Sequence, residues 1–162
     1  MSRVFSMVSP KLWLSRRFRG LITDSAKLFY LYVLTCQHQT SAGCFKLPDA
    51  YVMADLGWSA EKLSNARAPV VEAGLLLHDP ETDEYFVPRW FRHNPGKNPN
   101  HRKGIVRLIS ELESDLIRQV AKQEYDEYHE DDGNPPGAPG TSNGNRRHLG
   151  TTGYMSGKRG WQ

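Results

Sequence analysis

Residues 26–34 read Ala-Lys-Leu-Phe-Tyr-Leu-Tyr-Val-Leu, and this stretch constrains the fold more than any other. Asp24 or Ser25 is placed to cap a helix running through it. That helix would be apolar nearly all round, and such a helix is stable only when buried. Its longest unbroken apolar run, residues 28–34, has seven residues, far short of the roughly 20 needed to span a bilayer. It is therefore expected to be the central helix of a soluble domain, with other elements packed around it. The basic N-terminal segment lacks an apolar core of the kind a secretory signal carries. Two cysteines in 162 residues make no disulfide framework. The expectation is a cytoplasmic protein without a membrane partner.

The segments that follow supply the wrapping. Polar residues 37–42 read as a loop and residues 44–47 as a short extended piece. Pro48 suits the first turn of a second helix to Leu56, which Gly57 stops. Ser59 can cap a third helix, with Glu61 in its favourable first turn and Leu63, Ala66 and Val70 on its buried face. That helix ends at Gly74. Residues 75–78 and 85–87 read as two strands of a hairpin around the turn-rich residues 79–84. Three helices, a strand between the first two and a closing hairpin describe a winged helix-turn-helix, mainly α with a small β component.

Residues 104–129 read as one long amphipathic helix, because Ile105, Ile109, Leu112, Leu116 and Val120 recur at helical spacing. The stripe fades after Ala121, so its acidic end is expected to fray. Residues 133–162 hold eight glycines and three prolines, and such a stretch buries too little to offset its ordering entropy. The expected organisation is a basic arm (1–23), the winged-helix domain (24–92), a basic Asn/Pro-rich connector (93–103), the amphipathic acidic helix (104–130) and a disordered tail (131–162).

Charge is segregated along this frame. The net charge is +3, yet residues 1–23 carry five basic residues and no acid, and residues 85–110 carry six and no acid. Residues 111–132 reverse the sign, with nine acids against Arg118 and Lys122. Two acid-free basic segments can supply the phosphate-neutralising charge of a nucleic-acid binder.

Several motifs together resemble a known family. They are Asp24-Ser-Ala-Lys-Leu-Phe-Tyr-Leu-Tyr-Val-Leu-Thr35, Gly43-Cys-Phe-Lys-Leu-Pro48, Ala54-Asp-Leu-Gly-Trp-Ser59, Glu72-Ala-Gly-Leu75 and Trp90-Phe-Arg-His-Asn-Pro95 with Lys97-Asn-Pro99. The chain resembles, over about residues 12–105, small phage-encoded winged-helix proteins similar to the N-terminal DNA-binding half of replisome organisers and replication initiators. The resemblance implies duplex DNA binding and recruitment of replication proteins. Two positions depart from the family pattern. Arg67 stands where an apolar residue is usual, and Pro69 where proline is not. A proline inside a helix costs about 3 kcal/mol, so a kink or break near Ala66 is expected.

If the third helix reads the major groove, Glu61, Ser64, Asn65 and Ala68 face outward with Lys62 on the flank, and Lys62, Ser64 and Asn65 are the candidate DNA contacts. Phosphate contacts are expected from Arg16, Arg17 and Arg19 and from Arg89, Arg92, Lys97, Asn98, Arg102 and Lys103. Asp79, Glu81, Asp83 and Glu84 put four carboxylates at the wing, so the wing should not touch DNA. Trp90 and Phe91 are expected in the core. Cys36, His38 and Cys44 have the spacing of no standard zinc site. No nucleophile–base pair, phosphate loop or paired-carboxylate motif is present, so neither catalysis nor a cofactor is expected. Arg146, Arg147, Tyr154, Lys158, Arg159 and Trp161 could bind single strands weakly.

The expected function is phage DNA-replication initiation or transcriptional regulation through duplex DNA. The alternative is an adaptor that docks on a replication protein through the winged helix and the acidic helix. Two further expectations concern residues 105–120 as a homodimer seam and residues 111–132 as an acidic segment folding over the basic block.

Overall fold

The structure, a computed structural model, describes residues 6–131. Arg3, and the tail from residue 132 with its basic and aromatic residues, lie outside the described residues. Two short turns come first, a 3₁₀ helix (Pro10–Leu14) and α1 (Arg16–Arg19), capped by the hydroxyls of Ser9 and Ser15. Then follow α2 (Asp24–Thr35), β1 (Cys44–Lys46), α3 (Asp49–Leu56), α4 (Ala60–Glu72), β2 (Leu77–Asp79) and β3 (Glu84–Phe86). The described chain ends with α5 (Trp90–His93), α6 (Pro99–Ser110) and α7 (Asp115–Asp131). The molecule is mainly helical. Among the described residues, three strands form one antiparallel sheet in the order β1-β3-β2, with Phe45 opposite Tyr85 and His78 opposite Tyr85 on the other edge.

α2 packs most extensively on α4, burying Phe29 and Val33 of α2 against a core that includes Leu63, Ala66 and Val70 of α4. The central position is as expected, but α2 is not enclosed. Leu28 remains 47% exposed and Leu31 and Leu34 are half-buried. The cap also differs: Thr23 Oγ1 accepts from Ala26 N at 3.2 Å, ahead of Asp24 and Ser25. The next two junctions match the sequence. Gly57 ends α3 at φ +63°, a left-handed conformation that favours glycine. Ser59 Oγ accepts from Lys62 N at 3.3 Å to start α4.

α4 runs without interruption from Ala60 to Glu72 through Pro69, so the expected break near Ala66 does not occur. The proline lacks an N–H, and its ring occupies a half-buried position in the last turns.

The long C-terminal helix is two helices. α6 ends at Ser110, and α7 begins at Asp115 after Ser114 Oγ accepts from Ile117 N. The break is held from outside. The Glu84 carboxylate of β3 accepts from Glu113 N at 3.0 Å and Ser114 N at 2.7 Å, satisfying N–H groups at the start of α7. The break shifts the apolar stripe. Ile105, Ile109 and Leu112 are buried as expected, but the buried set then becomes Ile117, Ala121 and Tyr125. Leu116 is 59% exposed.

Two further expectations bear on this geometry. Of the expected seam, Ile105, Ile109 and Leu112 are taken up by the chain's own core, whereas Leu116 is exposed. The acidic segment is anchored through its apolar face: Ile117, Ala121 and Tyr125 belong to the core, and Tyr125 packs edge-on against Phe91. Each large side chain so buried contributes about 1.5–3 kcal/mol.

Candidate nucleic-acid interface

The outer face of α4 is set by its cap and its buried stripe. With Leu63, Ala66 and Val70 inside, Glu61, Lys62, Ser64, Asn65 and Ala68 face solvent. Lys62 Nζ lies 4.9 Å from the Trp58 ring centroid, a cation–π contact that steadies its stem at the turn between α3 and α4.

Arg67 turns the other way. Its Nη1 and Nη2 donate to Asp49 Oδ1 and Oδ2 at 2.6 and 2.8 Å, and Nη1 also donates to Tyr85 Oη at 2.6 Å. His78 Nε2 lies 3.4 Å away, and its ring stacks on Tyr85. One guanidinium thus ties α4 to the first turn of α3 and to β2 and β3. Hydrogen bonds from Arg67 hold the Asp49 carboxyl below the usual range. Burial, then the Arg67 charge, pushes His78 down, and burial raises the Tyr85 hydroxyl to about 12. The sequence showed Arg67 only as an oddity. Its partners lie 18 and 11 residues away in the chain, beyond any local pattern.

The basic segments sit at the other end of α4. Arg17 Nη1 donates to Gly74 O at 3.2 Å, where the carbonyl end of the helix favours a cation. Arg89 caps α5 with φ +66°, and its backbone N–H donates to Glu124 Oε2 at 2.7 Å. Arg17 and Arg89 line one cleft of about 200 Å³, together with Lys11 and His93. The structure therefore brings Lys11 and Arg17 of the first basic segment together with Arg89 of the second, 72 positions beyond Arg17. It does not join them to the outer face of the N-terminal half of α4. Lys62 and Gly74 are separated by roughly 18 Å at 1.5 Å per residue.

The remaining candidates divide. Arg16, Arg19, Arg92, Lys97 and Lys103 are exposed. Asn98 caps α6, its Oδ1 accepting from His101 N at 2.9 Å, and Arg102 Nε donates to Gly96 O at 3.3 Å. Those two help fix the connection that carries their neighbours. Trp90 and Phe91 are core residues as expected. Trp90 occupies the space beside Gly43, where a Cβ would lie 2.3 Å from its Cγ, and Trp90 Nε1 donates to Ser41 O. Two of the motifs quoted for the family resemblance thus touch.

At the hairpin, Asp79 Oδ1 accepts from Glu81 N, and Glu84 is buried against the start of α7. Cys36 and Cys44 are buried, and burial raises both thiols, Cys44 to about 12. Neither is a ready thiolate ligand. Comparison with family models, with curated proteins and with solved structures finds no match to this chain.

Proposed function

We propose that this chain is a non-enzymatic winged-helix module that binds duplex DNA. The observation that carries the reading is the order helix–strand–helix–helix–strand–strand with β1 laid against β3, and with the N-terminal half of α4 capped and solvent-facing. α4 enters the major groove, where Asn65 suits adenine and Lys62 suits guanine or a phosphate. Arg16, Arg19, Arg92, Lys97 and Lys103 lie on the flanking phosphates, and binding is dominated by the backbone. The wing stays out of the minor groove, since its tip is acidic and Glu84 is engaged with α7. The family resemblance supports a place in phage replication initiation, with transcriptional regulation as the other use of such a module.

The test is fluorescence anisotropy of the full chain on a random duplex at several salt concentrations. About six phosphate contacts predict a loss of roughly a thousandfold in affinity between 50 and 200 mM salt. Binding that ignores salt, or no binding at low salt, overturns the reading.

A further inference from the structure

The cleft that unites the basic segments has a character that duplex DNA does not use. It lies between the N-terminal residues 7–17 and residues 87–94, and closes against α2 and the end of α4. Its floor is apolar, formed by Leu12, Leu34, Leu75 and the ring of Tyr30. Lys11, Arg17 and Arg89 stand around that floor, and among the described residues no Asp or Glu lines it. None of the three has a carboxylate ion-pair partner among the described residues.

We propose that this cleft is a docking site for an acidic peptide that inserts one large apolar side chain. Three observations select this occupant. The volume of about 200 Å³ is below the ~300–1,000 Å³ of pockets that enclose a drug-sized ligand, so it suits a side chain better than a nucleotide. The hydroxyl and amide groups of the lining make local bonds. Ser9 and Ser15 accept from backbone N–H groups of their own turns, and Asn94 Nδ2 donates to Trp90 O. The cations spring from fixed backbone: Arg17 is tied to Gly74, and Arg89 is tied through its N–H to Glu124. A carboxylate arriving there meets the Arg17 guanidinium already held in place, with the charges of Lys11 and Arg89 beside it. An apolar anchor surrounded by carboxylates satisfies floor and rim together; a phosphate alone leaves the floor wet. The adaptor role would run through this site, and the site stands apart from the DNA reading.

The experiment uses the full chain and a fluorescein-labelled, end-capped peptide of sequence DDDFDD, read by anisotropy without DNA. Controls are DDDADD, KKKFKK and a labelled oligo(dT) of six nucleotides. The expected result is saturable binding of DDDFDD. It weakens about tenfold or more when the Phe is replaced by Ala, and by a similar factor in Lys11→Glu and Arg89→Asn. Both of these side chains are exposed, and asparagine tolerates the left-handed backbone at position 89, so the variants should melt like the parent. Equal binding of DDDADD would reduce the effect to diffuse charge attraction and overturn the proposal. So would anchor-dependent binding that neither variant weakens, or no binding of DDDFDD at millimolar protein. Oligo(dT) binding lost in Lys11→Glu, without peptide binding, would assign the cleft to nucleic acid and overturn it too.

Discussion

Replacing Arg67 by methionine tests whether the orientation of α4 depends on a buried polar clasp. The Arg67 side chain is 13% exposed and Tyr85 is fully buried, whereas the Asp49 side chain keeps 42% of its exposure. Methionine has similar length and no polar head. Asp49 then turns to water and loses about 1 kcal/mol at most, because an exposed pair is worth little. The Tyr85 hydroxyl has no such escape, and a stranded buried hydroxyl costs about 1–3 kcal/mol. Removing a desolvated guanidinium returns part of this. The net expectation for Arg67→Met is a loss of about 2–3 kcal/mol, seen as a drop in Tm of roughly 8–12 °C for a unit of this size. Tyr85→Phe in the Arg67→Met background removes the stranded hydroxyl and should recover about 1 kcal/mol. In the parent the same change should cost about 1 kcal/mol. The sign reversal is the diagnostic, and a double-mutant cycle by urea unfolding reads it as a coupling of about 2 kcal/mol. Strict additivity, or an Arg67→Met variant within 0.5 kcal/mol of the parent, would refute the clasp.

Three other substitutions probe separate joints. Gly43→Ala combines a left-handed φ of +70° with a Cβ driven into Trp90; it should cost about 3 kcal/mol or more in thermal or urea melts. Glu84→Ala removes the carboxylate that caps the start of α7 and should cost about 2 kcal/mol. Hydrogen exchange should show faster amides at residues 113–118 and no change in α2. Glu124 is raised above the ordinary carboxyl range by burial, so its folded form holds the proton more tightly than the unfolded chain does. The stability it contributes is complete below the unfolded pKa near 4.5 and is lost as pH rises through the folded value. Glu124→Gln should therefore gain on the parent between pH 5 and pH 7, and the two urea midpoints should converge below pH 4.

What was legible in the sequence was whatever one local segment decides. Ser59 caps α4 and Gly57 stops α3 because a hydroxyl three residues before an N–H, and a residue without a Cβ, act at short range. The alternation that places Leu63, Ala66 and Val70 inside is equally local. The break at residues 111–114 was not legible as periodicity, since the spacing from Ile105 to Val120 is consistent with one helix. Ser114-Asp115 was the available cap signature, and an unbroken stripe hides such a cap. What makes the break stable is Glu84, 29 and 30 residues upstream. Pro69 failed as a breaker for the converse reason. A local cost of about 3 kcal/mol is outweighed when Ala66 and Val70 on either side are locked into the core with Leu63.

The same long-range logic changes what the charge segregation means. Read along the chain, the acids of residues 79–84 and 111–132 look like a solvated surface that repels phosphate or attracts a partner. In the fold, two of them act as helix caps in opposite directions. Glu84 of the hairpin accepts from the first N–H groups before α7, and Glu124 of α7 accepts from the N–H that opens α5. Others are paired on their own helices, Arg107 with Glu111, Arg118 with Asp115 and Lys122 with Asp126. The caps weld hairpin, α5 and α7 into one body, which is why the hairpin is a poor candidate for a mobile wing. Lys11, Arg17 and Arg89, from the two acid-free segments of the sequence, meet on the side of the molecule where the arm reaches the end of α4. Segregation in sequence thus does not become separation in space: Glu124 of the acidic segment accepts from the backbone N–H of Arg89 in the basic one. An acidic peptide should be sought at that end first, and duplex DNA at the outer face of the N-terminal half of α4.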